Sequence, residues 1–93
     1  TMTNLMIVRE VVCDYLGISE HDIKLRSRKA EICRPRQIAM YISRELTDCT
    51  LKAIGSFYDK DWTTVIHSVK TVIKELSYNI NLKKIIENIY FEL

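Results

Sequence analysis

The sequence predicts an all-α protein of about five to six helices. Only two glycines and one proline interrupt its 93 residues. Apolar residues recur at the i, i+3, i+4, i+7 spacing of a helix face along nearly the whole chain. Hydrophobic residues make up 47% and charged residues 28% of the sequence, as in globular domains. A chain of this length can bury about two thirds of its unfolded surface, so residues 1–93 are expected to form one domain.

The first predicted helix covers about residues 3–16. Leu5 and Val12 lie on its apolar face, and Gly17 follows where a left-handed C-cap belongs. A short capped turn is predicted from Ser19 onward, because an acidic residue stands three positions later, as in a capping box.

A basic stretch, residues 24–34, is predicted to be a loop. Pro35 suits the first turn of a helix, where the missing N–H has no intrahelical partner. The second helix is therefore predicted over about 35–47. Its buried face is predicted to contain Ile38, Tyr41, Ile42 and Leu46.

The next two predicted helices lie close together in the chain. Thr50 can cap a short helix over about 51–57, and Asp61 is a good N-cap for a long helix over about 61–77. The turn between them has only three or four residues, which is the outline of a helix-turn-helix. A last amphipathic helix is predicted at about 81–92.

The second motif helix has an outward face suited to DNA. In a helix-turn-helix this helix enters the major groove, where hydroxyls can bond to bases and a threonine methyl can pack against thymine. The apolar stripe of the helix centres near Val69, which leaves a polar side opposite. The residues on that side are Thr63, Thr64, His67, Thr71 and Lys74. The alternative is an exposed face on which threonines have no role.

Positive charge is concentrated in the middle of the chain. The net charge is +2, but residues 1–23 carry −3, residues 24–74 carry +6 and residues 75–93 carry −1. Such a basic segment is either a solvated face or a footprint for a polyanion, since neutralising phosphates releases condensed counterions.

Other classes of protein are not indicated. The three cysteines are odd in number and widely spaced, which argues against disulfides and against a zinc site. No apolar run approaches the ~18 residues of a membrane span, so we expect a cytoplasmic protein. It would be nucleoid-associated if it binds DNA, and no metal or cofactor is predicted. Possible nucleophile and base pairs, such as Asp61 with His67, lack an orienting third group, so no enzyme is predicted. Thr1 is interpreted as a tag remnant before a natural start at Met2, which predicts a complete small protein.

Several blocks of residues stand at separations typical of one family. They are Arg34-Pro35-Arg36-Gln37-Ile38-Ala39-Met40-Tyr41, Arg44-Glu45-Leu46-Thr47, Leu51, Ile54-Gly55 and Asp61-Trp62-Thr63-Thr64-Val65-Ile66-His67. With them, roughly residues 4–76 resemble the C-terminal DNA-binding domain of the bacterial replication initiator DnaA. The resemblance implies a small helical fold of the Trp-repressor type, whose helix-turn-helix binds a short box in double-stranded DNA. The last predicted helix would be an addition to that domain.

The resemblance also implies roles for individual residues. Arg28 would reach the minor groove from the basic loop, and Arg44 would hold a phosphate. The remaining implied DNA contacts are Arg36 and Gln37 at the start of the second helix, Leu51 and Lys52 at the start of the first motif helix, and the base-contacting Asp61, Thr63 and Thr64.

The turn of the motif departs from the family pattern. The family has Gly-Gly-Arg-Asp-His-Thr-Thr there, whereas this chain has Asp59-Lys60-Asp61-Trp62-Thr63-Thr64, one residue fewer and without glycine. Trp62 replaces a histidine that the family uses at DNA, yet it lies within about 30° of the centre of the apolar stripe. DNA contact and burial over Tyr58 are both open for this side chain, and burial is favoured. The chain also lacks the Gly-x-x-x-x-Gly-Lys-Ser/Thr of the initiator's ATPase domain.

The leading hypothesis is a module that binds double-stranded DNA with a sequence preference. The helix at about 61–77 would enter the major groove, and the loop 24–34 would lie toward the minor groove. The alternative is a helical interaction or dimerisation module that kept the fold without DNA reading, with a protein partner or a second copy on the first or the last helix. Salt dependence of duplex binding distinguishes the two, because only phosphate contacts give a steep slope.

Overall fold

Helices form the regular structure of residues 3–93, the part of the chain that the computed structural model describes. They are α1 (Leu5–Leu16), α2 (Ala30–Leu46), α3 (Leu51–Phe57), α4 (Trp62–Leu76) and α5 (Ile80–Glu92), with one 3-10 turn at Asp22–Lys24. The prediction of an all-α fold with five to six helices is confirmed.

Capping side chains fix the helix ends as predicted. Thr50 Oγ1 accepts a hydrogen bond from the Ala53 N–H at 3.0 Å, and Asp61 Oδ1 accepts one from the Trp62 N–H at 2.8 Å. These bonds satisfy donors that the first turn of a helix leaves without an intrahelical partner. Gly17 closes α1 in the left-handed conformation, with φ 70°.

The second helix begins earlier than predicted. α2 starts at Ala30, so the loop before it is 25–29 rather than 24–34, and Pro35 lies inside the helix. The proline removes the hydrogen bond to the carbonyl of Glu31, and Glu31 is exposed to water that can replace this bond. Pro35 is itself buried, so the packing of its ring offsets the missing hydrogen bond. The helix therefore continues through the proline.

The buried face of α4 is rotated from the predicted one. Val65, Ser68 and Val72 are the buried residues of the helix. Ile73, which a stripe centred on Val69 places inward, is 52% exposed. Hydrophobic periodicity counts apolar side chains, so it overlooks a serine at the centre of a packed face.

α2 is the central helix of the fold. It packs against α1, α3 and α4, and α5 packs on α1 and α4. All five helices contribute to one core, whose largest fully buried side chains are Val8, Val12, Ile23, Ile38, Met40, Ile42, Ile54, Tyr58, Val65, Val72, Leu82 and Ile89. The two helices of the motif are thereby fixed on the same support.

Two further findings concern the described residues. Within residues 3–93 no helix is long and apolar enough to cross a membrane, and no group of three or more metal-ligating side chains occurs there. The cysteines are free thiols. Burial raises the pKa of Cys13 to about 11, so this thiol stays protonated near neutral pH.

Candidate nucleic-acid interface

A four-residue turn, Tyr58 to Asp61, joins the two helices of the motif. Asp59 adopts a left-handed φ of 56°, a conformation that glycine adopts at the lowest cost. The Lys60 N–H donates to the Gly55 carbonyl at 2.8 Å and so folds the turn back onto α3. The chain makes this turn without glycine in the turn itself.

Gly55 permits the close approach of this turn to α3. A Cβ atom on Gly55 would lie 2.6 Å from the carbonyl oxygen of Lys60 and 3.3 Å from that of Asp61. Both neighbours are backbone atoms, which cannot swing aside as the end of a flexible side chain can. Only glycine fits this position without displacing the turn.

Arg9 of α1 holds the end of α3. Its Nη1 donates to the Phe57 carbonyl at 3.1 Å, and its guanidinium lies 4.0 Å from the centroid of the Phe57 ring. Its Nε pairs with Glu20 Oε1 at 3.0 Å. A cation at the last carbonyls of a helix complements the helix dipole. The motif is therefore anchored on α1 as well as on α2.

The Asp61 carboxylate organises the first turn of α4. Besides capping the Trp62 N–H, it accepts a hydrogen bond from the Thr63 hydroxyl at 2.9 Å. Thr63 is thereby oriented at the outer surface of the helix. The predicted outward residues Thr63, His67, Thr71 and Lys74 are exposed, Thr64 is half-buried, and Lys70 is a further exposed cation.

A hollow on one side of this first turn has a cationic lining. We call it the loop-side hollow, and its volume is about 330 Å³. Its lining residues are Arg26, Ser27, Arg28, Arg36, Lys60 and Thr64. The ion pairs among residues 3–93 are Arg9–Glu20 and Arg34–Glu75. The four cations of the hollow therefore have no carboxylate partner in this part of the chain.

Two of these cations hold the basic loop in place. Arg36 is only 7% exposed, and its guanidinium donates to the carbonyls of Leu25 at 2.9 Å and Ser27 at 3.3 Å. Lys60 Nζ donates to the Lys24 carbonyl at 2.8 Å. The loop is therefore fixed both to α2 and to the turn of the motif.

A second hollow, the α3-side hollow, lies on the other side of the same turn of α4. It has a volume of about 470 Å³ and is lined by Arg44, Thr50, Leu51, Lys52 and Trp62. Trp62 is 47% exposed, so the predicted burial of this side chain over Tyr58 is wrong. The reason is the rotated buried face of α4, which leaves Trp62 at the edge of the packed surface.

The fold brings most of the predicted site residues to the first turn of α4. Arg28, Arg36 and Thr64 line the loop-side hollow, and Arg44, Leu51, Lys52 and Trp62 line the α3-side hollow. Asp61 and Thr63 are exposed at the start of α4 and belong to neither lining, and exposed His67 follows about one helical turn later. Gln37 is half-buried on α2 and lies outside both linings.

Sequence reasoning missed two cations of this surface. Arg26 belongs to the basic stretch but carried no individual prediction. The position of Lys60 beside the loop could not be predicted from the sequence, because it depends on the left-handed conformation of Asp59. Arg36 was expected to meet DNA directly, whereas most of it is buried and two of its N–H groups are used on the loop.

Comparison with known proteins identifies relatives over most of the chain. A family model for the bacterial dnaA protein helix-turn-helix matches residues 6–72. The chain is 42% identical over 83 residues to the chromosomal replication initiator protein DnaA of Caldanaerobacter subterraneus subsp. tengcongensis, a match covering 89% of this chain and 19% of that protein. The corresponding protein of Chlorobaculum tepidum is 41% identical over 86 residues, covering 91% and 17%. That of Levilactobacillus brevis is 41% identical over 88 residues, covering 94% and 20%. The chain thus spans about a fifth of the length of these curated relatives.

Proposed function

The chain belongs to the family of bacterial DnaA helix-turn-helix domains, and on that premise we propose that it binds double-stranded DNA with a sequence preference. In the proposed complex α4 enters the major groove by its first turn, and loop 25–29 lies toward the minor groove. A role at the nucleoid in replication initiation or in its regulation belongs to the same proposal.

One observation carries the proposal most strongly. Residues from separate parts of the chain, 26–28, 36, 44–52 and 60–64, line the two hollows beside the first turn of α4. Their cations have no ion-pair partner among residues 3–93. A surface of this kind supplies the phosphate contacts that position a protein on a duplex.

The proposed contacts follow from exposure and chemistry. Arg44 and Lys52 are exposed beside the α3-side hollow and are assigned to phosphates. Arg28 is exposed in the loop and is assigned to the minor groove, whose negative potential is greatest over A·T-rich steps. Thr63 and Thr64 are assigned to base edges, since their hydroxyls can both donate and accept.

The first test is selection of bound duplexes from a random pool, followed by binding at several salt concentrations. With three or more phosphates engaged, the affinity falls by roughly fortyfold between about 50 and about 200 mM salt. A change of less than about threefold would contradict the proposed binding mode. A pool without an enriched sequence would contradict the sequence preference.

A matched pair of variants locates the surface. The double variant Arg44→Gln with Lys52→Gln removes two positive charges from the proposed interface. The double variant Lys83→Gln with Lys84→Gln removes two exposed charges from α5. We expect the first to lower both the affinity and the salt slope, and the second to leave both near the parent values.

The second candidate function is self-association through α1 and α5. Phe91 is 94%, Ile80 67% and Met6 64% exposed, and α1 packs beside α5. Exposed apolar groups of this size are characteristic of interaction surfaces when they are contiguous. Sedimentation velocity over a range of concentrations tests this candidate, and a monomer at all concentrations would exclude it.

A further inference from the structure

The loop-side hollow concentrates positive charge without an anion. Its lining has four cations, the hydroxyls of Ser27 and Thr64, and no carboxylate. Burial and the nearby charges of Arg36 and Arg26 lower the pKa of Lys60, and the Asp59 carboxylate outside the lining opposes this shift only in part. Like charges that are partly removed from water repel one another, so an anion placed among them would be stabilised by all four.

The donors in the hollow are suited to a phosphate group. Lys60 Nζ uses one hydrogen-bond donor on the Lys24 carbonyl, and an ammonium group has three. Arg26 is exposed at the rim of the hollow, and its guanidinium presents a planar set of donors that matches two phosphate oxygens. None of the six lining residues is aromatic or apolar, so the hollow offers no surface on which a nucleotide base would stack.

We propose that the loop-side hollow binds one phosphate group of the DNA backbone, located between the groove that α4 enters and the groove that loop 25–29 approaches. This inference rests on the proposed function. The bound phosphate touches the loop through Arg26 and the turn of the motif through Lys60. It therefore fixes the loop and α4 at a set distance along the duplex.

The test uses a duplex selected by the parent protein and a series of copies that each carry one neutral methylphosphonate. The affinity of the parent is expected to fall roughly tenfold when the bound phosphate is neutralised, because one charge-assisted hydrogen bond is lost. The affinity of Lys60→Gln is expected to stay the same when that phosphate is neutralised. The slope of its log affinity against log salt concentration is expected to be lower by about 0.9. Lys60→Arg is expected to retain the sensitivity.

Two further variants separate the phosphate contact from the support that Lys60 gives to the loop. Arg26→Gln removes a charge from the hollow without removing a hydrogen bond to a loop carbonyl, and it is expected to lose sensitivity at the same phosphate. Lys70→Gln removes an exposed charge of α4 outside the hollow and is expected to stay sensitive there. If Lys60→Gln and Arg26→Gln were as sensitive as the parent at every position, the inference would be overturned.

A separate measurement distinguishes DNA from a small phosphate compound. Inorganic phosphate is titrated into the parent, and the amide signals of Ser27, Lys60 and Thr64 are followed by NMR. Two results together would overturn the proposal that the bound phosphate belongs to DNA. They are saturation of the hollow at micromolar phosphate and the absence of any methylphosphonate position at which the parent and Lys60→Gln differ. Both would favour a small phosphate compound as the ligand. A parent protein that binds no duplex contradicts the proposed function before any variant is made, so the two failures are distinguishable.

Discussion

The two hollows beside the first turn of α4 differ in chemistry. The loop-side hollow is lined by cations and hydroxyls, whereas the lining of the α3-side hollow adds the apolar side chains of Trp62 and Leu51 to the cations Arg44 and Lys52. Phosphate binding depends on salt and is independent of sequence, while an apolar surface in the major groove can favour the thymine methyl. The α3-side hollow therefore combines groups suited to phosphates with an apolar surface suited to a base, whereas the loop-side hollow has no apolar surface.

The hollows also differ in the contacts that form them. The loop-side hollow depends on the hydrogen bonds of Arg36 to loop carbonyls and of Lys60 to the Lys24 carbonyl, which directly precedes the loop. The α3-side hollow is formed mainly at the starts of two helices, which Thr50 and Asp61 cap locally. Distant contacts thus build one hollow and local contacts build the other, and variants can test each separately.

The largest effect is expected for Gly55→Ala, which alters the turn that both hollows share. The added Cβ meets the Lys60 carbonyl oxygen at 2.6 Å, so the free energy of unfolding should fall by about 2–3 kcal/mol. Duplex binding should weaken through both hollows. Urea unfolding and a binding assay measure the two effects.

Gly17→Ala is the control for this variant. Nothing lies within 4 Å of its added Cβ, but φ is +70°, so a loss of about 1 kcal/mol is expected from the backbone alone. Duplex affinity should stay at the parent value. Equal losses of stability for the two variants would show that the contact with the turn is unimportant.

The next largest effect is a difference in stability between variants of Arg36 and Arg28, which both line the loop-side hollow. Arg36→Met leaves the carbonyls of Leu25 and Ser27 without their donors, so we expect a loss of about 1–3 kcal/mol in stability. Arg28 is exposed, so Arg28→Met should change stability by less than about 0.5 kcal/mol.

The two arginine variants should also differ in DNA binding. Arg28→Met should weaken binding most on duplexes with A·T-rich flanks, where a narrow minor groove attracts cations. Arg36→Met displaces the loop that carries Arg28, so it should lose the same preference for A·T-rich flanks and, in addition, weaken binding to duplexes without them. Urea unfolding and competition between duplexes with different flanks measure these effects. Equal stability, and equal affinity for duplexes without A·T-rich flanks, would remove the distinction between the two variants.

A smaller effect on stability is expected in the α3-side hollow for Trp62→His, which restores the family residue. Because Trp62 is 47% exposed, the loss of stability should be under about 1 kcal/mol. The base preference should change by roughly 1–3 kcal/mol at one or two base pairs, with an unchanged salt slope. Repeating the selection with this variant measures the change, and an identical selected sequence would exclude Trp62 from base readout.

The smallest effect is expected at Glu75, outside both hollows. Hydrogen bonds from Arg34 and from Asn79 lower the pKa of this carboxyl. A carboxyl with a lowered folded-state pKa stabilises the fold above its unfolded pKa, and this stabilisation is lost as the pH falls through the folded-state pKa. Glu75→Gln should therefore be less stable than the parent near neutral pH, by under about 1 kcal/mol, and should match it in acid.

Urea midpoints between about pH 3 and pH 7 measure the effect of Glu75→Gln. Duplex affinity should not change, because the pair of Arg34 with Glu75 lines neither hollow. A constant difference in stability at all pH values would show that the carboxyl charge is not the cause.

Local features of the sequence determined the helices of the motif. The predicted range 51–57 is the observed α3, and the caps at Thr50 and Asp61 are present. The last helix was predicted at 81–92 and is observed at Ile80–Glu92. Caps and apolar periodicity act between residues three or four positions apart, so a linear sequence contains enough information for them.

The tertiary structure alone decided where α2 begins, which face of α4 is buried and what holds the loop. Arg34 was expected in a loop but pairs with Glu75, 41 residues away. Lys60 reaches the Lys24 carbonyl across 36 residues. Such contacts form only when separate helices have already packed, because the energy of placing one side chain depends on every element around it. Most residues of the candidate interface were therefore named from the sequence, whereas the place of Lys60 and the division into two hollows were not.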